Sequence, residues 1–94
     1  MTYQEIENKV VSILEKNNVK KIGIFGSYDR GVKRTDSDMD ILVNFNDRKS
    51  LITLVRIERE LSETIGVKVD LLTEQSVSPY LIDRIKSELK VIYQ

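Results

Sequence analysis

The 94 residues predict a small α/β (α+β) domain in which helices cover a three- or four-stranded mixed β-sheet. Two observations carry this. Apolar residues recur at helical spacing in three segments, and three short β-prone runs alternate with them, giving the order α-β-α-β-α-β-α once a short helix after the first strand is counted. No repeat, linker or low-complexity stretch interrupts that order. Residues 1–94 therefore read as one domain, near the size at which a single core is stable without disulfides or metals.

Thr2-Tyr3-Gln4-Glu5 has the form of a capping box, and Ile6, Val10, Ile13 and Leu14 follow at helical spacing as far as Asn17-Asn18. Strand one is expected at residues 20–25. It stops at Gly26-Ser27, and a short helix through Asp29-Arg30 loosens at Gly31 before the basic pair Lys33-Arg34. Strand two, residues 38–45, ends in the polar turn Asn46-Asp47-Arg48. Leu51, Leu54, Val55, Glu58, Leu61 and Ile65 trace the stripe of a longer helix, Ile52 and Ile57 fall off it, and Gly66 sits where a left-handed cap belongs. Residues 67–72 read as strand three, with Val67, Val69 and Leu71 on one face and Asp70 on the other. After a loop at 74–78, Ser78-Pro79 starts a final helix whose stripe is Leu81 or Ile82, Ile85, Leu89 and Ile92, with Tyr80 and Tyr93 read as packing residues.

Fifteen basic and fifteen acidic residues cancel, so no chain-wide positive field is available to hold a nucleic-acid backbone, and direct nucleic-acid binding is disfavoured. The chain lacks cysteine and histidine, which removes disulfides, thiolate nucleophiles, cysteine-ligated zinc and the commonest general base. Any chemistry falls to carboxylates, hydroxyls, Lys and Arg. With no apolar run of signal-peptide or membrane length, the expected location is cytoplasmic, with no membrane partner.

The chemistry-bearing stretch is IGIFGSYDRGVKRTDSDMDILVNF, residues 22–45. Gly26 lets backbone amides approach a ligand closely, and Ser27, at a helix start, adds a hydroxyl donor, so the pair can cradle phosphates; an ordinary Ser-capped turn is the alternative. Arg30, one helical turn on, can pair with a phosphate or stand solvated. Ten residues separate Ser27 from Asp38-Met39-Asp40, where strand alternation sends both aspartates to one face. Two carboxylates so placed repel unless a cation sits between them, which makes Asp38 and Asp40 candidate Mg²⁺ ligands; a pair of solvent-facing aspartates at a strand start is the alternative. Asp70 lies in an apolar run as Asp40 does, and joins them if strand three lies beside strand two. Thr35 and Ser37 flank the aspartates as possible hydrogen-bond donors, and Lys33-Arg34 is a solvated loop or a contact for an acidic partner.

Gly26-Ser27, ten residues, then Asp38-x-Asp40, each in its strand context, resembles the signature of the DNA polymerase β-like nucleotidyltransferase superfamily. The short form GSYxRG followed by SDxD is most similar to the minimal nucleotidyltransferase (MNT) domain, the antitoxin partner of HEPN-domain toxins. The resemblance spans essentially the whole chain. It implies a nucleotidyltransferase fold, ATP as substrate, two Mg²⁺ ions held by Asp38, Asp40 and Asp70, and Asp70 as acceptor of the attacking hydroxyl's proton. It further implies transfer of AMP to a hydroxyl, a tyrosine, of a partner HEPN-type ribonuclease toxin. Asp29 departs from the commonest family form, in which a small residue stands there. Two other readings stay open: a non-catalytic antitoxin that neutralises the toxin by complex formation, and transfer to a small hydroxylated compound. Homo- or hetero-oligomerisation is compatible with all three.

Overall fold

Thr2 starts the first helix by the means its sequence predicts. In the computed structural model, which describes residues 2–25 and 39–94, its Oγ1 accepts a hydrogen bond from the Glu5 N–H at 3.1 Å. Helix α1, Tyr3–Glu15, buries Ile6, Val10, Ile13 and Leu14. Asn17 Nδ2 then donates to the Ile13 carbonyl at 2.8 Å, and Asn18 turns the chain at φ 65°, a conformation its short polar side chain tolerates.

Strand β1, Val19–Phe25, pairs antiparallel with β2, Met39–Phe45, so that Ile24 stands opposite Ile41 and Phe25 opposite Asp40. Helix α2, Leu51–Ile65, is capped by Ser50 Oγ, which accepts from the Thr53 N–H at 3.2 Å, and ends at Gly66 with φ 76°. It carries the chain back to β3, Val69–Thr73, which lies parallel to β2. A 3₁₀ turn, Glu74–Ser76, leads to α3, Pro79–Glu88, where Ser78 Oγ accepts from the Tyr80 N–H at 3.2 Å. The described chain closes with β4, Lys90–Tyr93, antiparallel to β1. The sheet order is β3-β2-β1-β4, a four-stranded mixed sheet of the expected class.

Helices α1 and α2 cover one face. Ile22, Ile24, Met39, Ile41, Val43 and Val69 from the sheet meet Val10, Leu14, Ile57 and Leu61 from the helices in one apolar core. Strand alternation accounts for the choice: on β2 the odd-numbered residues enter this core, and Asp40, Leu42 and Asn44 point to the other face. On that other face the backbone of Gly23 lies against Leu89, and a Cβ at residue 23 would stand 2.5 Å from both Leu89 Cγ and Cδ1. The glycine is required there by space.

Three expectations are corrected. The final helix stops at Glu88, and Ile92 belongs to β4; Leu89 and Ile92 fit a helical stripe, but Val91, Ile92 and Tyr93 are β-prone and the free edge of β1 takes them as a strand. The buried stripe of α2 is Ile57, Leu61 and Ile65 with Leu54 beside it, and Leu51 is 77% and Ile52 83% exposed. Both stripes have helical spacing, and docking on the sheet selects the one carrying Ile57, so Val55 is exposed as well. Tyr80, on an α3 that has no buried residue, is 94% exposed, whereas Tyr93 does pack against the core.

The two ends of the described chain are tied together. Lys90 Nζ sits 2.8 Å from Glu7 Oε2 and 5.0 Å from the centroid of the Tyr3 ring, so the β4 cation neutralises a buried carboxylate of α1. This fastens the edge strand that flanks β1. Among the described residues no helix is long and apolar enough to cross a membrane.

Candidate functional site

The parallel pairing of β2 with β3 sets Asp40 directly against Asp70. Neighbouring strands are roughly 4.8 Å apart and paired residues point the same way, so the two carboxylates share the sheet face opposite the α1–α2 core. Both are only partly buried. Phe25, the last residue of β1, is the antiparallel partner of Asp40, and Met39 precedes it; these two residues bracket 26–38. The segment that carries GSYxRG therefore leaves and re-enters the described structure beside the carboxylate pair. Gly26, Ser27, Arg30 and Asp38, with Asp29, Lys33, Arg34, Thr35 and Ser37, lie outside the described residues.

Like charges at paired positions on adjacent strands are destabilising unless something between them offsets the repulsion. A hard divalent cation with carboxylate ligands is such a group, and the donor set, oxygens only, is the one Mg²⁺ takes. Among the described residues no group of three or more His, Cys, Asp or Glu side chains gathers that could hold a metal ion, and Asp38 lies outside them. Of the three expected carboxylates, Asp40 and Asp70 are register partners on one sheet face.

The register of β3 is held from the helix side. Ser62 Oγ accepts from the Val69 N–H at 3.0 Å, and Glu58 Oε2 accepts from the Leu71 N–H at 2.8 Å, one donor on either side of Asp70. Sequence reading placed Glu58 on the apolar stripe of α2 without giving it a task. A carboxylate on such a stripe was the available signal.

A cavity of about 480 Å³ opens at the other end of the sheet, lined by Phe45, Lys49, Leu54, Thr73 and Gln75 among others. Its strand residues stand at the carboxyl ends of β2 and β3, with Phe45 roughly 16 Å along its strand from Asp40 and Thr73 roughly 10 Å from Asp70 at about 3.3 Å per residue. Lys49 lies over the Phe45 ring at 5.3 Å and pairs with Asp47 at 3.0 Å. The cavity and the carboxylate pair are separate features.

Comparison with known proteins agrees with the geometry. Residues 8–94 match the family described as polymerase beta, nucleotidyltransferase. A Methanocaldococcus jannaschii relative, provisionally named protein adenylyltransferase MJ0435, is 49% identical over 88 residues, covering 94% of this chain and 95% of the relative. Protein adenylyltransferase MntA of Thermococcus cleftensis is 38% identical over 81 residues, 82% of each chain. Among solved structures, a toxin–antitoxin complex with AMP-PNP superposes with a TM-score of 0.84 at 29% identity, covering 93% of this chain and 72% of that one. A complex of a tri-AMPylated HEPN toxin with its MNT antitoxin, from Shewanella oneidensis, gives a TM-score of 0.81 at 26% identity, covering 98% and 72%. The chain belongs to the polymerase β-type nucleotidyltransferase family.

Proposed function

We propose that this protein is an antitoxin enzyme that transfers AMP from ATP to a tyrosine hydroxyl of a partner HEPN-type ribonuclease toxin and so silences it. The observation that carries the reading is the in-register pairing of Asp40 with Asp70 at the sheet end where the GSYxRG segment departs. The names of the relatives support the same activity, and the solved complexes support the same kind of partner. We place the protein in the cytoplasm as a single catalytic domain, in complex with that partner.

Asp38, Asp40 and Asp70 would hold Mg²⁺, two ions in the family scheme, which neutralise triphosphate charge and polarise the reacting phosphoryl group. Gly26 and Ser27 bind the phosphates through backbone amides and a hydroxyl, and Arg30 adds a guanidinium. The acceptor oxygen attacks the α-phosphorus, a new O–P bond forms, and the bond to the β-phosphate breaks with its electron pair leaving on pyrophosphate. Asp70 takes the phenolic proton, a role that a carboxylate open to solvent can pass on. The β2/β3 register contributes by fixing two of the three carboxylates on rigid strands rather than on a loop.

The reading is tested by incubating the purified partner with this protein, ATP and Mg²⁺ and mapping the partner by mass spectrometry. The expected result is AMP on a tyrosine. An unmodified partner that is still bound and silenced would overturn transfer in favour of neutralisation by complex formation.

A further inference from the structure

We propose that Glu58, backed by Ser62, is the positioning residue for Asp70. The inference rests on the reading of Asp70 as a metal-site carboxylate and adds the device that aims it. Strand β3 is one of the two edge strands of the sheet. The Met39 N–H donates to the Lys68 carbonyl at 2.8 Å, so residues 68, 70 and 72 present their backbone groups to β2, and Val69 and Leu71 turn their N–H groups to the free edge. At a free edge water satisfies such donors at no cost. Here both are taken by side chains of α2, Val69 by Ser62 and Leu71 by Glu58. Ser62 also donates to the Glu58 carbonyl at 2.9 Å, which joins the two contacts on one turn of helix.

Core packing does not ask for a carboxylate at residue 58, half-buried beside the stripe of Ile57, Leu61 and Ile65, because an apolar residue there would bury more apolar surface. A carboxylate accepting from an N–H makes a charge-assisted bond of restricted geometry, well suited to holding a register. Register is what the site needs. A slip of one residue would turn Asp70 into the core and Leu71 out to the site. The two free-edge donors that flank Asp70 are thus pinned from the opposite face, and Asp70 is left to face Asp40 with its own side chain uncommitted to the clamp.

The test compares Glu58→Gln, Glu58→Leu and Asp70→Asn in three readouts: Mn²⁺ binding titrated with a non-hydrolysable ATP analogue, amide exchange at Leu71, and melting temperature. Glu58→Leu is expected to speed exchange at Leu71 and to weaken Mn²⁺ binding by about 10-fold or more, in the range of lost supporting contacts around metal ligands. Glu58→Gln, whose amide oxygen still accepts but without the charge, keeps Mn²⁺ binding closer to wild type than Glu58→Leu does. Ser62→Ala, a smaller change, should speed exchange at Val69 and weaken Mn²⁺ binding in the same direction if Glu58→Leu fails to fold. Wild-type Mn²⁺ affinity in Glu58→Leu, or in Ser62→Ala should that variant be the one available, overturns the proposal, as does a Glu58→Gln defect equal to that of Glu58→Leu. Unchanged Mn²⁺ binding in Asp70→Asn would remove the reading of Asp70 itself. A weakened Asp70→Asn beside a normal Glu58→Leu removes only the positioning role.

Discussion

Asp40 and Asp70 are register partners across the parallel β2/β3 pair, on the sheet face that the two large helices leave uncovered. Asp70→Asn removes one of the two facing carboxylates. Mg²⁺ and nucleotide should therefore stabilise the wild type more than the variant, because the wild type gains binding energy that the variant has lost. Urea denaturation in EDTA and in Mg²⁺ with an ATP analogue reads the difference, and equal stabilisation of the two proteins would contradict it.

Ile57 is 1% exposed, and Ile52, five residues earlier on the same helix, is 83% exposed. Ile57→Ala should cost about 2–5 kcal/mol through lost burial and the cavity left behind. Ile52→Ala should stay within about 0.5 kcal/mol. A larger loss from Ile52→Ala than from Ile57→Ala would mean that α2 docks with the other stripe.

Gly23 lies under Leu89, with no room for a methyl group. Gly23→Ala is expected to destabilise by about 1–3 kcal/mol, the scale of overpacking, because the branch point of Leu89 and not just one methyl must move. Pairing with Leu89→Ala should restore part of the loss, which a double-mutant cycle would detect.

Lys90 neutralises Glu7, whose carboxylate is mostly buried, while Lys90 itself stays half exposed. Lys90→Met leaves a buried charge without this partner and should cost about 1–3 kcal/mol. Glu7→Gln, which keeps a hydrogen-bond acceptor, should cost less. Chemical denaturation of the two variants gives the comparison.

Much of this fold was legible in the sequence because the signals were local. Capping at Thr2, Ser78-Pro79 and Gly66 lies where the residue chemistry puts it, and the alternation of β2 and β3 correctly sent Asp40 and Asp70 away from the core. The failures were matters of tertiary choice. Leu89 and Ile92 satisfy a helical stripe, and only the vacant edge of β1 decides for a strand. Leu51, Val55 and Ile57 satisfy two overlapping stripes, and only the docking angle of α2 decides between them. The pairing of Asp40 with Asp70 needed the strand order, which no local pattern contains. Glu58 was visible as an oddity, but its task depends on a strand edge thirteen residues away. The parts of the candidate site on Gly26, Ser27, Arg30 and Asp38 rest on the motif and its spacing.

The most direct test of the account uses ATP labelled at the α-phosphate, with Mg²⁺, this protein, and a lysate or the adjacent-gene product from its source. The Asp38→Asn, Asp40→Asn double variant is the control. Label should appear on a separate polypeptide and be absent with the variant. If the partner co-purifies with both proteins and is silenced by both while no polypeptide is labelled, AMP transfer is contradicted and the protein acts by binding alone.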